Sequence, residues 1–408
     1  MSVMINSKFK DLYLLVAGQF ISQIGDKFYA LALAFWVLQV TRSSSKMGLM
    51  IFFSMAPSIL LGFFIGGIID RFDRKTLLII SDVFRGLVIG LVVIVYFLGH
   101  LNLGVIIVAQ ILLSVASAFF APTVQAIIPQ IVDKEHISSA NAKSQLASGI
   151  SMVVGPVLGG LAVSYLGYAF VFIFNAVSFM AAAVFEALMN IGSPFGASEK
   201  ARSMKDSIKE GYSYIFGRKK ILIIISIVAI IHFFAGSMQV VIPVLANRLN
   251  GNGAQNLGFI ETFYGIGAIA AAFLLNVFSI SRKEERTMFS GVSALGFIFI
   301  VFAVLTGFGI KSSIPYFIVF LFISLTVIII STAYQTILQK NVENTMAGRV
   351  FGIIGSIGNL TLPAATLVFG FLMDRFRIEK LTGICGAAII ALSVLLLIIY
   401  GRRSENTV

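Results

Sequence analysis

The length and continuity of its apolar stretches constrain this chain more than any other feature. Crossing a bilayer as a helix takes about 20 predominantly apolar residues. Stretches of that kind run over residues 12–38, 47–69, 76–98, 103–121, 143–164 and 168–189. They recur over 221–245, 256–279, 288–308, 314–335, 350–373 and 381–400, giving twelve predicted spans. A spanning strand would be about ten residues of alternating pattern, and these runs do not alternate. The first run is too long for a signal-peptide core and has no persuasive small-residue cleavage site, so it reads as a retained helix. Over 408 residues, 58% are hydrophobic and 12% charged. A soluble domain is nearer half apolar and a quarter charged. Lipid must therefore solvate much of the surface, which excludes a cytosolic enzyme, a disordered protein and a disulfide-stapled secreted domain. Cys385 has no second cysteine to pair with. With His100, His136 and His232 scattered, no metal-ligand spacing arises.

The net charge of +12 is explained by where the basic residues fall. With the N-terminus placed in the cytoplasm, twenty-one of the 30 Lys and Arg residues lie in or beside cytoplasmic loops. Seven lie outside (Arg42, Lys46, Arg248, Lys311, Arg375, Arg377 and Lys380), while Lys27 and Arg85 fall within spans. That asymmetry predicts a multi-pass cell-membrane protein with both termini cytoplasmic. The basic face then meets anionic lipid, and no nucleic-acid partner is needed. The loop at 374–380 runs against the trend, being basic yet outside.

The long polar stretch at 190–220 divides the chain into two halves, 1–189 and 221–408. Within it, Met204, Ile208, Tyr212 and Ile215 have helical spacing over 203–216. That predicts an amphipathic helix on the cytoplasmic leaflet, against the alternative of a plain tether. The halves repeat weakly. Gly48 corresponds to Gly258 and Gln125 to Gln335, both offset by 210, and Pro156 to Pro363, offset by 207. Six spans per half give both halves one orientation, and parallel repeats place a substrate site near the bilayer midplane.

The loop between the second and third spans reads Gly66-Gly-Ile-Ile-Asp70-Arg71-Phe-Asp73-Arg74-Lys75. It resembles the cytoplasmic signature G-x-L-A-D-R-x-G-R-[KR] of the major facilitator superfamily. Asp73 stands where the pattern has Gly, and Asp tolerates a left-handed turn. The equivalent loop at 279–286 lacks the Asp-Arg pair. On the fifth span, Ser151-x-x-x-Gly155-Pro156-x-x-Gly159-Gly160 resembles that superfamily's antiporter motif, with Ser151 in place of its first Gly. Ser22-Gln-Ile-Gly25-Asp26, Ala121-Pro122 through Pro129, Ala140-Asn141 and Gly348-Arg349-Val350-Phe351-Gly352 narrow the resemblance. It is to the drug:proton antiporter branch, which includes macrolide-efflux and siderophore-export proteins.

The resemblance implies an all-α integral membrane fold of twelve transmembrane helices in two six-helix halves. It also implies a conformational interlock, in which Gly66 lets the second span pack on the eleventh and Asp70 meets the helix N-terminus near Arg349. Unpaired N–H groups and the dipole end would favour a carboxylate there. Arg71, Arg74 and Lys75 would add cross-links and contact lipid phosphates. Gly155, Gly159 and Gly160 would put small residues on one face of a helix kinked at Pro156, either as a seal against leak or as plain packing.

Ionisable residues inside the membrane are functional candidates. Asp26 is midway along the first span, as a proton carrier, a cation-substrate anchor or a structural carboxylate satisfied by Ser and Gln neighbours. Asp82 and Arg85, spaced i, i+3, are expected to pair locally or to join the loop network. Glu261, about one turn into the eighth span, is a second titrating candidate. His232 is either a helix-to-helix hydrogen bond or a proton relay. Glu186 reads as solvated at the end of the sixth span. Gln110 and Gln239 have no assigned direction. No G-x-x-x-x-G-K-[ST] loop is present, so the expected energy source is a proton gradient, with no cofactor.

The expected protein is a monomeric secondary transporter and not an enzyme. It exports amphipathic or hydrophobic small molecules in exchange for protons, with membrane lipids as its surroundings. A siderophore, a lysophospholipid or another physiological metabolite is the alternative cargo. A polytopic membrane enzyme is the alternative class, disfavoured because no convergent catalytic set occurs.

Overall fold

A computed structural model of the chain describes residues 2–69, 72–191, 210, 213–277, 284–343 and 346–404. Among the described residues there are helices and no strands. In lipid a backbone must satisfy its own polar groups, and the helix does so within one segment. The helices are α1 (Ser2–Thr41), α2 (Ser44–Ile69), α3 (Arg74–Phe97), α4 (Leu103–Ile131) and α5 (Ile137–Ala187). They continue with α6 (Lys219–Gly236), α7 (Met238–Ala246), α8 (Gly253–Val277), α9 (Glu284–Gly307), α10 (Ile314–Asn341), α11 (Ala347–Met373) and α12 (Ile378–Ser404).

Among the described residues, eight stretches are long and apolar enough to cross a membrane by themselves. One of them, in α5, holds two spans. Its two arms meet at Gly167, whose φ of 80° and ψ of 176° are essentially open to glycine alone. Together α6 and α7 make one span, interrupted at Ser237. With α1, α11 and α12 the total is twelve, as the apolar runs predict. In α1, Asp26 and Lys27 interrupt the apolar run. The predicted end of the fourth span at 121 is too early. α4 continues through Pro122 and Pro129 to Ile131. Proline does not stop a helix in lipid, where neighbouring groups re-satisfy the freed carbonyls.

The chain forms two compact units. The first is Met1–Glu199 with Ala254–Thr262, and the second is Lys200–Gly253 with Phe263–Val408. In the first, α1 runs along α5, α3 packs on α5 and α4, and α2 packs on α4. Leu31, Ala32, Leu33 and Val37 of α1 are each 2% exposed or less, so this helix is enclosed by protein here. In the second unit, α9 packs on α10 and α12, and α6 on α11. Residues 192–209, 211 and 212 of the polar stretch lie outside the described residues, and so does most of the predicted amphipathic helix. Nearby, Arg218 stacks on the Tyr214 ring at 3.6 Å and pairs with Glu343, whose N–H donates to Tyr214 Oη at 3.0 Å.

The repeat extends to turns that the sequence comparison did not reveal. α3 ends with Gly99 at φ 73° and α9 ends with Gly309 at φ 65°, again 210 positions apart. In one, His100 N–H donates to Val95 O at 3.1 Å; in the other, Ile310 N–H donates to Leu305 O at 3.2 Å. Both are the left-handed helix ending that glycine favours. The junction of α3 with α4 is tied by Arg74 Nη1 donating to Ala126 O at 3.2 Å. Its counterpart, α9 with α10, is tied by Glu284 pairing with Lys340. The two units fasten one junction with opposite charges.

Candidate functional site

Three helices of the first unit bring four ionisable side chains together: Asp26 of α1, Asp82 and Arg85 of α3, and Glu186 of α5. Asp82 and Arg85, one helical turn apart, pair through Arg85 Nη2 and Asp82 Oδ1, as expected. Arg85 Nη1 also lies 3.8 Å from Asp26 Oδ2. The guanidinium is held between the Phe120 ring at 4.5 Å and the Phe179 ring at 4.4 Å. Such stacking favours a planar, weakly hydrated cation. Arg85 is 3% exposed and Asp82 0%, whereas the Asp26 side chain is 46% exposed. The cluster therefore has a wet end at Asp26 and a dry end at Asp82.

Glu186 belongs to the dry end, which corrects its reading as solvated. It is 1% exposed. Helix side chains lean toward their own N-terminus, so Glu186, one residue before the end of α5, points back into the bundle. There it interacts with Asp82. Gly25 makes the approach of α1 possible, because a Cβ there would collide with Ser178 Oγ and Asn175 Oδ1 of α5.

The signature loop is partly described. Gly66 lies on α2 and Arg349 on α11. Asp70 and Arg71 lie outside the described residues. Asp73 does not take the left-handed turn expected of it. With φ −63° and ψ 119° it is extended, and its Oδ2 accepts from Thr76 N–H at 2.8 Å and Thr76 Oγ1 at 2.6 Å. It is the N-cap of α3. Asp73→Ala is expected to cost about 0.5–2 kcal/mol, whereas Asp73→Gly costs only a few tenths. Thermal unfolding of the two purified variants checks this, and equal midpoints would remove the capping role.

The two following cations make bonds within the first unit. Arg74 makes the α4 bond described above. Lys75 Nζ donates to Ala187 O at 2.8 Å and Met189 O at 2.6 Å, at the C-terminal end of α5. A cation suits the carbonyls that a helix end leaves unpaired.

The antiporter-motif residues occupy two adjacent faces of α5, not one. Gly155 and Gly159 face α1, where an added Cβ would lie 2.7 Å from Lys27 Cβ and 3.1 Å from Phe28 Cα. Pro156 and Gly160 face the start of α8, where a Cβ on Gly160 would lie 2.5 Å from Ala254 O. Residues four apart share a helix row, and the next row lies about a quarter-turn round. Thr262 Oγ1 adds a bond to Val153 O at 2.8 Å.

Glu261 lies about two turns inside α8, deeper than expected, and interacts electrostatically with Lys27. His232 packs edge-on to Tyr334, with ring centres 6.5 Å apart. Its Nδ1 has no hydrogen-bond partner among the described residues, so that nitrogen does not make the expected helix-to-helix bond. Gln110 turns inward and donates to Tyr29 Oη at 3.2 Å, while Gln239 is exposed. Among the described residues no group of His, Cys, Asp and Glu has the arrangement to hold a metal ion.

The chain is 21% identical to macrolide efflux protein A of Streptococcus pyogenes, over 94% of each sequence. It is 23% identical to the staphyloferrin A transporter of Staphylococcus aureus, over 95% of this chain and 94% of that relative. Among solved structures, the nucleoside transporter NupG superposes with a TM-score of 0.79 at 11% identity, over 96% of this chain and 99% of that one. Residues 15–366 match the Major Facilitator Superfamily. This twelve-span chain belongs to the Major Facilitator Superfamily.

Proposed function

We propose that the protein is a proton-coupled exporter of amphipathic or hydrophobic small molecules, working by alternating access between two halves, 1–189 and 221–408. The observation that carries this reading is the Asp26 carboxylate, half-exposed in the middle of α1 and 3.8 Å from Arg85. An accessible carboxylate at that depth can bind a proton, or a cationic group of the cargo, and release it when the accessible side changes. The names of the macrolide-efflux and staphyloferrin A relatives support small-molecule traffic. In this reading the protein works as a monomer with both termini in the cytoplasm, draws on the proton gradient and needs no cofactor. Asp26 is the principal coupling residue and Glu261 the second. The loop from Gly66 to Lys75, with Arg349, favours the state closed to the cytoplasm.

A second cargo class has its own support. Lys27, next to Asp26, is exposed on α1, and an ammonium there suits an anionic cargo such as a siderophore or lysophospholipid. Transport by proteoliposomes, with an imposed pH difference and a chemically diverse substrate panel, tests both. Saturable accumulation of a drug-like amphiphile that follows the pH difference supports the first reading. Accumulation of anionic compounds alone supports the second. Uptake unaffected by the pH difference overturns proton coupling.

A further inference from the structure

At the dry end of the cluster there are more carboxyl groups than the guanidinium can serve. Asp82 Oδ1 takes the Arg85 bond, while Asp82 Oδ2 and both Glu186 oxygens have no hydrogen-bond partner among the described residues. All belong to side chains at most 1% exposed. Two ionised carboxylates in contact, enclosed and without donors, are strongly unfavourable. A proton between them removes one charge and supplies the missing donor, as in paired aspartates that share one proton.

We propose that Asp82 and Glu186 form a proton-binding site, holding one proton between their carboxyl groups and joined to Asp26 through Arg85. The register explains why these two residues meet. α3 and the second arm of α5 run antiparallel, with Gly86 against Ala176 and Met180, Arg85 on Phe179, and Lys75 on Ala187 and Met189. Side chains on antiparallel helices lean toward opposite ends, so those of Asp82 and Glu186 lean toward each other. The charged groups around the pair come from each packed element. α1 contributes Asp26, which has Lys27 beside it, and Asp11, which accepts from Asn190 N–H at 3.0 Å. α3 contributes Arg85 and, at its start, Lys75. α4 contributes the uncharged Phe120 ring.

Charge balance describes what the site does. With Asp26 ionised, Arg85 faces one charge there and one on the protonated pair. When Asp26 takes a proton from water, the guanidinium is left facing the pair alone. The pair keeps its proton, and its single remaining charge balances the guanidinium. The cluster goes from one net negative charge to neutral, with one proton taken up at the wet end and none released from the dry end. This role in transport rests on the proton-coupled reading above; the binding of the proton does not.

The test is infrared difference spectroscopy of the full chain in lipid nanodiscs, titrated from acid to alkaline pH. The expected result is a protonated-carboxyl band that persists at neutral pH, is lost in Glu186→Gln and in Asp82→Asn, and remains in Asp26→Asn. Absence of the band from the wild type, or its persistence unchanged in Glu186→Gln, overturns the site. Should Glu186→Gln fail to fold, Glu186→Asp gives the same decision: the band must shift, and an unshifted band overturns the site. The transport reading is judged separately, by accumulation under a pH difference. A Glu186-dependent band in a protein whose transport ignores pH leaves the site standing and removes the exchange reading. Proton-driven transport without such a band does the reverse.

Discussion

Asp26→Asn is expected to insert and fold as the wild type does, yet to lose accumulation of cargo against its gradient. Asparagine has nearly the same volume and keeps hydrogen-bonding capacity, but it cannot bind and release a proton. Arg85 loses its contact at 3.8 Å and keeps Asp82, Phe120 and Phe179, so the packing of α1, α3 and α5 survives. A pH difference of one unit supplies about 1.4 kcal/mol per proton, which sustains about tenfold accumulation for one proton exchanged. The variant is expected to reach a ratio of about one while still equilibrating cargo down its gradient. Asp26→Glu, which restores a carboxyl one methylene further out, should recover part of the accumulation. Vesicle uptake with and without the imposed pH difference checks this. Full accumulation by Asp26→Asn would move the coupling role to Glu261 or to the Asp82–Glu186 pair.

Gly160→Leu and Gly258→Leu are expected to have the second large effect, and it is steric. At Gly160 a Cβ meets Ala254 O at 2.5 Å, and at Gly258 it meets Pro156 O. Both obstacles are backbone, so relief requires a helix to move rather than a side chain to turn. Overpacking a well-filled site typically costs about 1–3 kcal/mol, and a blocked backbone belongs at the upper end or beyond. By the tenfold rule, 3 kcal/mol reduces the correctly packed fraction roughly 150-fold relative to the alternatives. Gly149→Leu is the internal control, since nothing lies within 4 Å of a Cβ at that position on the same helix. The monodisperse yield after solubilisation, with the thermal midpoint, is the measurement. Equal behaviour of Gly160→Leu and Gly149→Leu would mean that α5 and the start of α8 are not held in close contact.

The spans were legible because lipid imposes one rule over a long window, and residues 74–97 or 314–341 cannot escape it. What escaped depended on single positions. Pro122 and Pro129 look like helix ends by the rules of water, yet α4 passes through both. Gly167 makes the turn between two spans at a conformation that no composition pattern announces. Asp73 shows how a substitution within a motif changes the local device: a residue suited to a turn became a cap instead. Within the site, Asp82 and Arg85 were readable because their partners are one turn apart. Glu186 was not, because its partner is about a hundred positions away and the direction of its side chain follows from helix packing. The motif glycines were legible as small residues, but the two faces they occupy were settled by α1 and α8. Nothing local in sequence encodes that.

The clamp around Arg85 has an electrical consequence. A guanidinium does not give up its proton in a protein, and this one is held between two aromatic rings in the interior of the first unit. Its charge stays fixed at one depth of that unit. Each uncompensated elementary charge moved through a potential of 100 mV changes the free energy by about 2.3 kcal/mol, which is roughly fiftyfold in a concentration ratio. With the guanidinium held still, the voltage dependence of a turnover in the proposed proton-coupled exchange is carried by the cargo and by the protons. A neutral cargo exchanged for one proton responds to voltage in full, and a monovalent cation exchanged for one proton does not respond at all. The steepness of transport against membrane potential therefore weighs the charge on the cargo before its structure is known.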